Sequence, residues 1–384
     1  MTQTAGLMFI AKKIWDRTRA LLPKDDWLVV GWVLATKILL FAFGARSFRI
    51  LQDKALEAGP HPWFDIWNRW DSLHYQDLAK VGYSGLPTIK ILFFPLFPWC
   101  VRLLAQINGD YFMSALVVSG IALLFAAILM RRLVQLDFPP EISLRSVWFF
   151  LIFPTAYFLH VGFTESLFLA FAFGSLLSAR RDDWLSAGLL GALCCMTRPT
   201  GVILLPTLAV EAMHQGWLAK HWRWRWLWIA IVPTGFLVYL LINWHVAGDV
   251  FSFVHRKKEW FAASFAWPWI GIRNSFGSLQ RTPNDAEIVG GQEIFFVALG
   301  LVCAILSWIK LRPSYAVWIT GTWLLFTSTT FIESAPRYSL TLFPIFILFA
   351  LAAENRFWNA IITFWSLLFF SLFASLFVRG WWAF

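Results

Sequence analysis

Apolar residues in this chain come in long runs, separated by short polar or basic punctuation, from Trp27 to Val378. An α-helix needs about 17–22 such residues to cross roughly 30 Å of hydrocarbon. In order, the runs predict crossings at 27–44, 112–130, 144–161, 163–179, 227–246, 294–309, 316–331, 340–352 and 361–378. Two shorter runs, 185–196 and 201–213, flank Thr197-Arg198-Pro199-Thr200. They form either a hairpin or one kinked span, since proline breaks the helix ladder; the basic stretch 220–225 favours the hairpin. The expected fold class is an all-α polytopic membrane protein, one domain over residues 1–384, with about 11 transmembrane helices.

The punctuation sets the sidedness. Lys12, Lys13, Arg17, Arg19 and Lys24 place the N-terminus in the cytoplasm by the positive-inside rule, and the segment 7–22 suits an amphipathic helix on the membrane surface. Arg131-Arg132, Arg180-Arg181, Lys220–Arg225 and Lys310–Arg312 then fall on the same side. Two long segments, 45–91 and 247–292, become extracytoplasmic loops, and long loops in compact domains are commonly functional. The run 91–107, broken by Pro95 and Pro98, must start and finish outside as a re-entrant or interfacial segment if the Arg131-Arg132 pair is to stay inside.

Composition agrees. The chain is 59% hydrophobic and 14% charged, too little polar surface for a soluble domain, and its 25 Trp suit headgroup level. The net charge of +10 is spread over short clusters between spans, which fits basic loops and not nucleic-acid binding. Cys100, Cys194, Cys195 and Cys303 lie within apolar runs without metal-ligand spacing, and read as small buried hydrophobes. The first run holds Lys37 and no convincing cleavage site, so it reads as an uncleaved anchor, and the protein as a multi-pass integral membrane protein.

The unusual charges meet on the outer face. The stretch 63–98 holds Asp65, Asp71, Asp77 and His74 in an aromatic frame; Trp63, Ile66, Trp67, Trp70, Leu73 and Leu78 suit one flat interfacial helix, with Asp71 beside Asn68, His74 and Tyr75. Glu165, Arg198, His255, Arg256, Lys257 and Arg337 join them from other loops, and Arg69 and Tyr338 flank the set. Singly, each has a plain explanation: Glu165 as a helix-start acid, the arginines as snorkelling side chains. Together, acids among arginines suit a pocket that holds a phosphate and activates a hydroxyl. A pocket at the membrane edge suits a lipid-borne substrate.

At these residues the chain resembles the PIG-V family of membrane mannosyltransferases, which add the second mannose of the GPI anchor, and their prokaryotic relatives. The resemblance is carried by RWDSLHY and GYSG (69–85), FFPLFP (93–98), FPTAYFLHVGFTESLF (153–168), AGLLGALCCMTRPTGV (187–202), GDVFSFVHRKKEW (248–260) and APRYSLTLFP (335–344). It implies a GT-C glycosyltransferase fold, a polyprenyl- or dolichyl-phosphate mannose donor, inverting transfer, and a catalytic aspartate in the first outer loop, here Asp71. The tip after GYSG is short and basic and the chain is compact, which points to a prokaryotic relative in the plasma (inner) membrane and leaves the GPI acceptor open.

The expected chemistry is that Asp71 takes the proton of an acceptor hydroxyl while Arg198 and Arg337, with His255, Arg256 or Lys257, clamp phosphate. Glu165 holds sugar hydroxyls or positions an arginine, and His74 orients Asp71 or bonds the sugar. Asp65, Arg69, Tyr75 and Tyr338 complete the substrate-binding set. No cofactor is required, though Asp65 and Asp71 leave room for a divalent ion. The partners expected are the lipid-phosphate sugar, a lipid- or glycan-linked acceptor and membrane lipid. Two competing readings are a similar transferase for aminoarabinose or glucose, and a transporter or flippase for lipid-linked sugars. A transporter should carry mid-bilayer charges and paired repeats; here the charges gather at one face.

Overall fold

The computed structural model describes residues 23–51, 60–83, 88–279 and 291–382. The segment 7–22, Ser84 and Gly85 of the GYSG tip, and part of each long loop lie outside the described residues. The described chain is helical almost throughout: α1 (Lys24–Leu51), α2 (Asp71–Val81), α3 (Leu96–Asn108), α4 (Tyr111–Val134), α5 (Pro140–Ile152), α6 (Glu165–Arg180), α7 (Trp184–Thr197), α8 (Leu204–Ala219), α9 (Val232–Ala247), α10 (Ser252–Phe261), α11 (Pro268–Ser278), α12 (Gln292–Lys310), α13 (Pro313–Thr327), α14 (Pro344–Ala352) and α15 (Arg356–Val378). By length and composition, six stretches can cross a membrane: 24–51, 111–134, 199–219, 224–247, 292–310 and 356–378. Helices α5, α6, α7, α13 and α14 are shorter, and the centre of the molecule lies among α4, α5, α6 and α14.

Ion pairs fix which helix ends share a face. Asp26, fully buried at the start of α1, accepts from Arg131 Nε at 2.6 Å and Arg132 Nη2 at 2.6 Å at the end of α4. Arg180, ending α6, makes two bonds to Asp137, and Arg312, just before α13, makes two to Glu211 of α8. These contacts gather the basic ends on one face. Helix α3 has only 13 residues, about 20 Å of helix against roughly 30 Å of hydrocarbon. It ends at a left-handed Gly109, and Asp110 then caps α4 through Met113 N while pairing with His61 at 2.7 Å. The end of helix α3 therefore lies at the start of α4, on the face opposite the basic ends.

The hairpin alternative holds for 184–219. Gln215 of α8 donates to Ala179 O at the end of α6, and Trp184 of α7 packs edge-on against Trp226, so both outer ends of the pair lie on the basic face with the tip at Arg198. The turn is tight: a Cβ on Gly201 would lie 2.7 Å from the Cys195 backbone. Cys194, Cys195 and Cys303 are buried and Cys100 half-buried, all as free thiols.

Two sequence expectations change. The span expected to run to Val161 stops at Ile152, because Phe153 is extended before Pro154. The chain from 153 to 164 is then irregular apart from one 3-10 turn, yet fully buried. Such backbone is tolerated at depth only inside protein. The single interfacial helix expected over 63–78 is also broken, into a turn at Pro62–Asp65 and α2. Burial of Trp67 forces the break. Its indole lies edge-on to Phe41 and stacks on Phe377, and a Cβ on Gly44 would fall 2.3 Å from it.

Gly44→Ala is therefore expected to lose about 1–3 kcal/mol by overpacking, read as a lower thermal midpoint of the purified protein in detergent.

Candidate active site

The site begins with a strained residue. Trp70 takes φ 53° and ψ −125°, a conformation that costs about 1–3 kcal/mol for a non-glycine residue. It reverses the chain so that Asp71 becomes the first residue of α2 instead of the middle of a longer helix. Asn68 is turned away to bond Gln76 Nε2 at 2.6 Å.

Asp71 ends a chain of four charges. Its Oδ2 accepts from Arg337 Nη1 at 2.6 Å; Arg337 Nε donates to Glu165 Oε1 at 2.5 Å; the same oxygen accepts from Arg198 Nη1 at 2.5 Å. Arg198 Nη1 also donates to Thr164 Oγ1 at 3.0 Å. Exposure is uneven: the Glu165 side chain is 0% exposed, Arg337 6% and Arg198 9%, against 31% for Asp71. Asp71 is the end that opens to solvent, and its Oδ1 accepts no hydrogen bond among the described residues. Phe158 and Phe163 lie side by side against the Arg337 guanidinium with centroids at 4.8 and 4.7 Å, and Tyr338 lies 5.6 Å from that of Arg198. Aromatic faces supplement the carboxylates where water is excluded.

Each member comes from an interruption in a helix. Glu165 starts α6 after the buried irregular stretch. Arg198 is extended, φ −154° and ψ 152°, at the tip between α7 and α8. Arg337 lies in a five-residue turn, Ala335–Ser339.

Tyr75 packs edge-on against Phe93 and Phe97 beside Asp71, and burial raises its phenol above the ordinary range, with the Asp71 charge adding to the effect. His74, one turn along α2, lies against Phe93 at 4.8 Å. Burial lowers its pKa, Lys90 adds to that, and Asp71 and Asp77 oppose it. The turn Thr88–Leu92, whose Lys90 bonds Asp77 at 2.5 Å, packs on α10. On α10, crowding lowers the ammonium of Lys257 although the residue keeps surface exposure, while the charge of Glu333 acts in the opposite sense. Burial raises Glu333, the Asp71 charge adds to this, and Lys257 and Arg337 oppose it.

The structure thus brings together Asp71, Tyr75, Glu165, Arg198, Arg337 and Tyr338, with His74 and Lys257 at the rim. Other expected residues are engaged elsewhere. Asp65 accepts from His61 N in its own turn. Arg69 donates to Ile66 O and to Val378 O at the end of α15, so it ties the first loop to the last helix. His255 pairs with Asp249 and Arg256 with Glu259 on the exposed side of α10. Glu165 is sealed from solvent between two arginines, which corrects the expectation that it holds sugar hydroxyls and leaves the arginine-positioning role. Arg337 is divided between Asp71 and Glu165, and Arg198 gives Nη1 to Glu165 and Thr164, so both expected clamp residues are already engaged by groups of the protein. Glu333 went unremarked in the sequence; an acid four residues before Arg337 at the end of an apolar run was the available signal. No group of three or more His, Cys, Asp or Glu is assembled for a metal ion among the described residues.

Residues 61–246 match the family model described as Mannosyltransferase (PIG-V). The chain is 29% identical over 143 residues to GPI mannosyltransferase 2 of Schizosaccharomyces pombe, covering 36% of this chain and 30% of that protein. It is 30% identical over 149 residues to GPI alpha-1,6-mannosyltransferase 2 of Mus musculus, with the same coverage. The matched stretch thus spans less than a third of either relative. Among solved structures, ArnT from Cupriavidus metallidurans bound to undecaprenyl phosphate aligns with a TM-score of 0.49 at 14% identity, over 93% of this chain and 73% of that one. The oligosaccharyltransferase of Archaeoglobus fulgidus in the apo form aligns at 0.44 and 9%, over 92% and 56%.

Glu165→Gln removes the one carboxylate that serves both buried arginines, and a loss of about 3–5 kcal/mol is expected, measured as a fall in thermal midpoint without substrate. A lowered His74 pKa means that the unfolded chain binds the proton first, so His74 costs stability as pH falls through the ordinary imidazole value of 6.5. Thermal midpoints of His74→Gln between about pH 8 and 5 should fall less steeply than those of the unsubstituted protein.

Proposed function

We propose that this chain, whose residues 61–246 match the PIG-V mannosyltransferase family model, is a member of that family and a membrane glycosyltransferase of the GT-C type. It transfers mannose from a polyprenyl-phosphate mannose to a hydroxyl of a lipid- or glycan-linked acceptor. The observation that carries this reading is the chain of charges: three members are sealed in the protein, and the fourth, Asp71, presents a carboxylate at the surface.

A lipid phosphate is a competent leaving group, so the protein has to aim the acceptor, remove its proton and meet the developing phosphate charge. Asp71 Oδ1 accepts the hydroxyl proton as the acceptor oxygen attacks C1 of mannose. The C1–O bond to phosphate breaks, the phosphate departs with the electron pair, and the anomeric configuration inverts in a single displacement. Arg337 holds Asp71 ionised and oriented, and Glu165 with Arg198 holds Arg337. Lys257 makes no ion pair with a described residue and supplies the charge for the phosphate at the rim. No step is assigned to a metal or cofactor. The basic helix ends gathered opposite the site support a cytoplasmic assignment for that face by the positive-inside rule, with the site outside; the membrane we assign to it is a prokaryotic plasma membrane.

Purified protein with radiolabelled polyprenyl-phosphate mannose and membrane-lipid or glycan extracts should form labelled product. Asp71→Asn should cut transfer by about 10²–10⁴-fold with the fold intact; equal rates in both would move the base elsewhere. Lys257→Gln should raise the donor KM about tenfold. Transfer should survive chelator treatment.

A further inference from the structure

Arg337 can orient Asp71 only if its own backbone is held, and that backbone is a five-residue turn too short to be stable alone. Ser334, which opens it, is left-handed with φ 64°, a region that serine rarely adopts. Its first two donors do not reach water. Ser334 N donates to Glu293 Oε1 at 2.8 Å, and Ala335 N to Glu293 Oε2 at 2.7 Å. Pro336 has no N–H to satisfy, and its carbonyl accepts from Thr155 Oγ1 at 2.9 Å. Glu293 is itself 1% exposed, in the first turn of α12. It belongs to none of the charge pairs described above, and its only hydrogen bonds among the described residues go to this turn.

We infer that Glu293 is a positioning residue for the transfer site: its two carboxylate oxygens hold the Ser334–Ala335 backbone so that the Arg337 guanidinium lies between Asp71 and Glu165. A carboxylate suits the task because it accepts at both oxygens at once, each bond charge-assisted. An amide presents one acceptor and one donor, and the donor would face an N–H. Thr155, which fixes the other side of the turn, lies in the irregular stretch that delivers Glu165, so Arg337 and its Glu165 partner are registered against the same short segment. The kinetic consequence rests on Asp71 being the base; the geometric claim does not.

The test uses a thiol at position 71 as a reporter of Arg337. In full-length protein carrying Cys100→Ala and Asp71→Cys, a neighbouring guanidinium lowers the thiol pKa and attracts anions. Alkylation by iodoacetate relative to iodoacetamide is measured against pH, with and without Glu293→Gln. The expected result is a clear preference for iodoacetate with Glu293 present, lost by about fivefold or more in Glu293→Gln, together with a higher apparent thiol pKa. An unchanged ratio and pH profile in folded Glu293→Gln protein would overturn the inference. If that variant does not fold, Glu293→Asp keeps the charge and withdraws it by one methylene, and the same loss is expected. In otherwise unsubstituted protein, Glu293→Gln should lower kcat by up to about 100-fold with donor KM within about twofold; a rise in KM at unchanged kcat would count against the positioning role. Loss of the iodoacetate preference in a protein that transfers no sugar would sustain this inference while refuting the transferase reading.

Discussion

The structure turns on one constraint: four charged side chains sit among apolar helices, and none can be there alone. Moving an isolated ion from water to such a place costs several kcal/mol even after relaxation. Arg198, Glu165, Arg337 and Asp71 meet that cost by alternating in sign and sharing hydrogen bonds, with Phe158, Phe163 and Tyr338 covering the guanidinium faces. The alternation leaves one place where charge can be used. In the interior of the chain Glu165, fully buried, serves two arginines at once; at the open end Asp71 serves one, and still meets solvent.

Meeting that constraint explains why the helices are interrupted where they are. Arg198 lies directly before Pro199 and Arg337 directly after Pro336 in its five-residue turn, while Glu165 opens α6 at the end of the irregular stretch 153–164. The fourth, Asp71, follows the strained Trp70. A continuous helix would aim these side chains along its own face at intervals set by its pitch. A break lets each be aimed separately, and the free backbone groups are then met by other residues: Ser166 Oγ and Lys37 Nζ to carbonyls of the buried stretch, Glu293 and Thr155 to the Arg337 turn.

The two long loops have unlike roles. The first enters the site directly through Asp71, His74 and Tyr75, and is fastened beneath by Trp67 against α1 and α15. The second contributes Lys257 at the rim, while its His255 and Arg256 pair outward. The turn carrying Lys90 packs on α10, so the loops support each other where an anionic head group would approach. A carboxylate on one wall and an ammonium on the other suit the proposed attack on a sugar–phosphate bond.

Much was legible in the chain itself. Helix positions follow from run lengths and prolines; the basic ends follow from Arg131-Arg132, Arg180 and Arg312; Asp71, Glu165, Arg198 and Arg337 stand out because charge is rare in so apolar a chain. These are properties of composition and local order, which the hydrocarbon environment makes strict. Pairing is different. That Arg337 is divided between Asp71 and Glu165, that Arg69 and Asp65 serve the backbone, and that Glu333 faces Lys257 depends on contacts between residues far apart in the chain. So do the break at Trp70, set by Trp67 burying itself against Gly44, and the use of Glu293 on a distant turn. Hydropathy has no term for which charge meets which, because a buried ion is satisfied equally well in sequence terms by any opposite neighbour; only packing selects the partner.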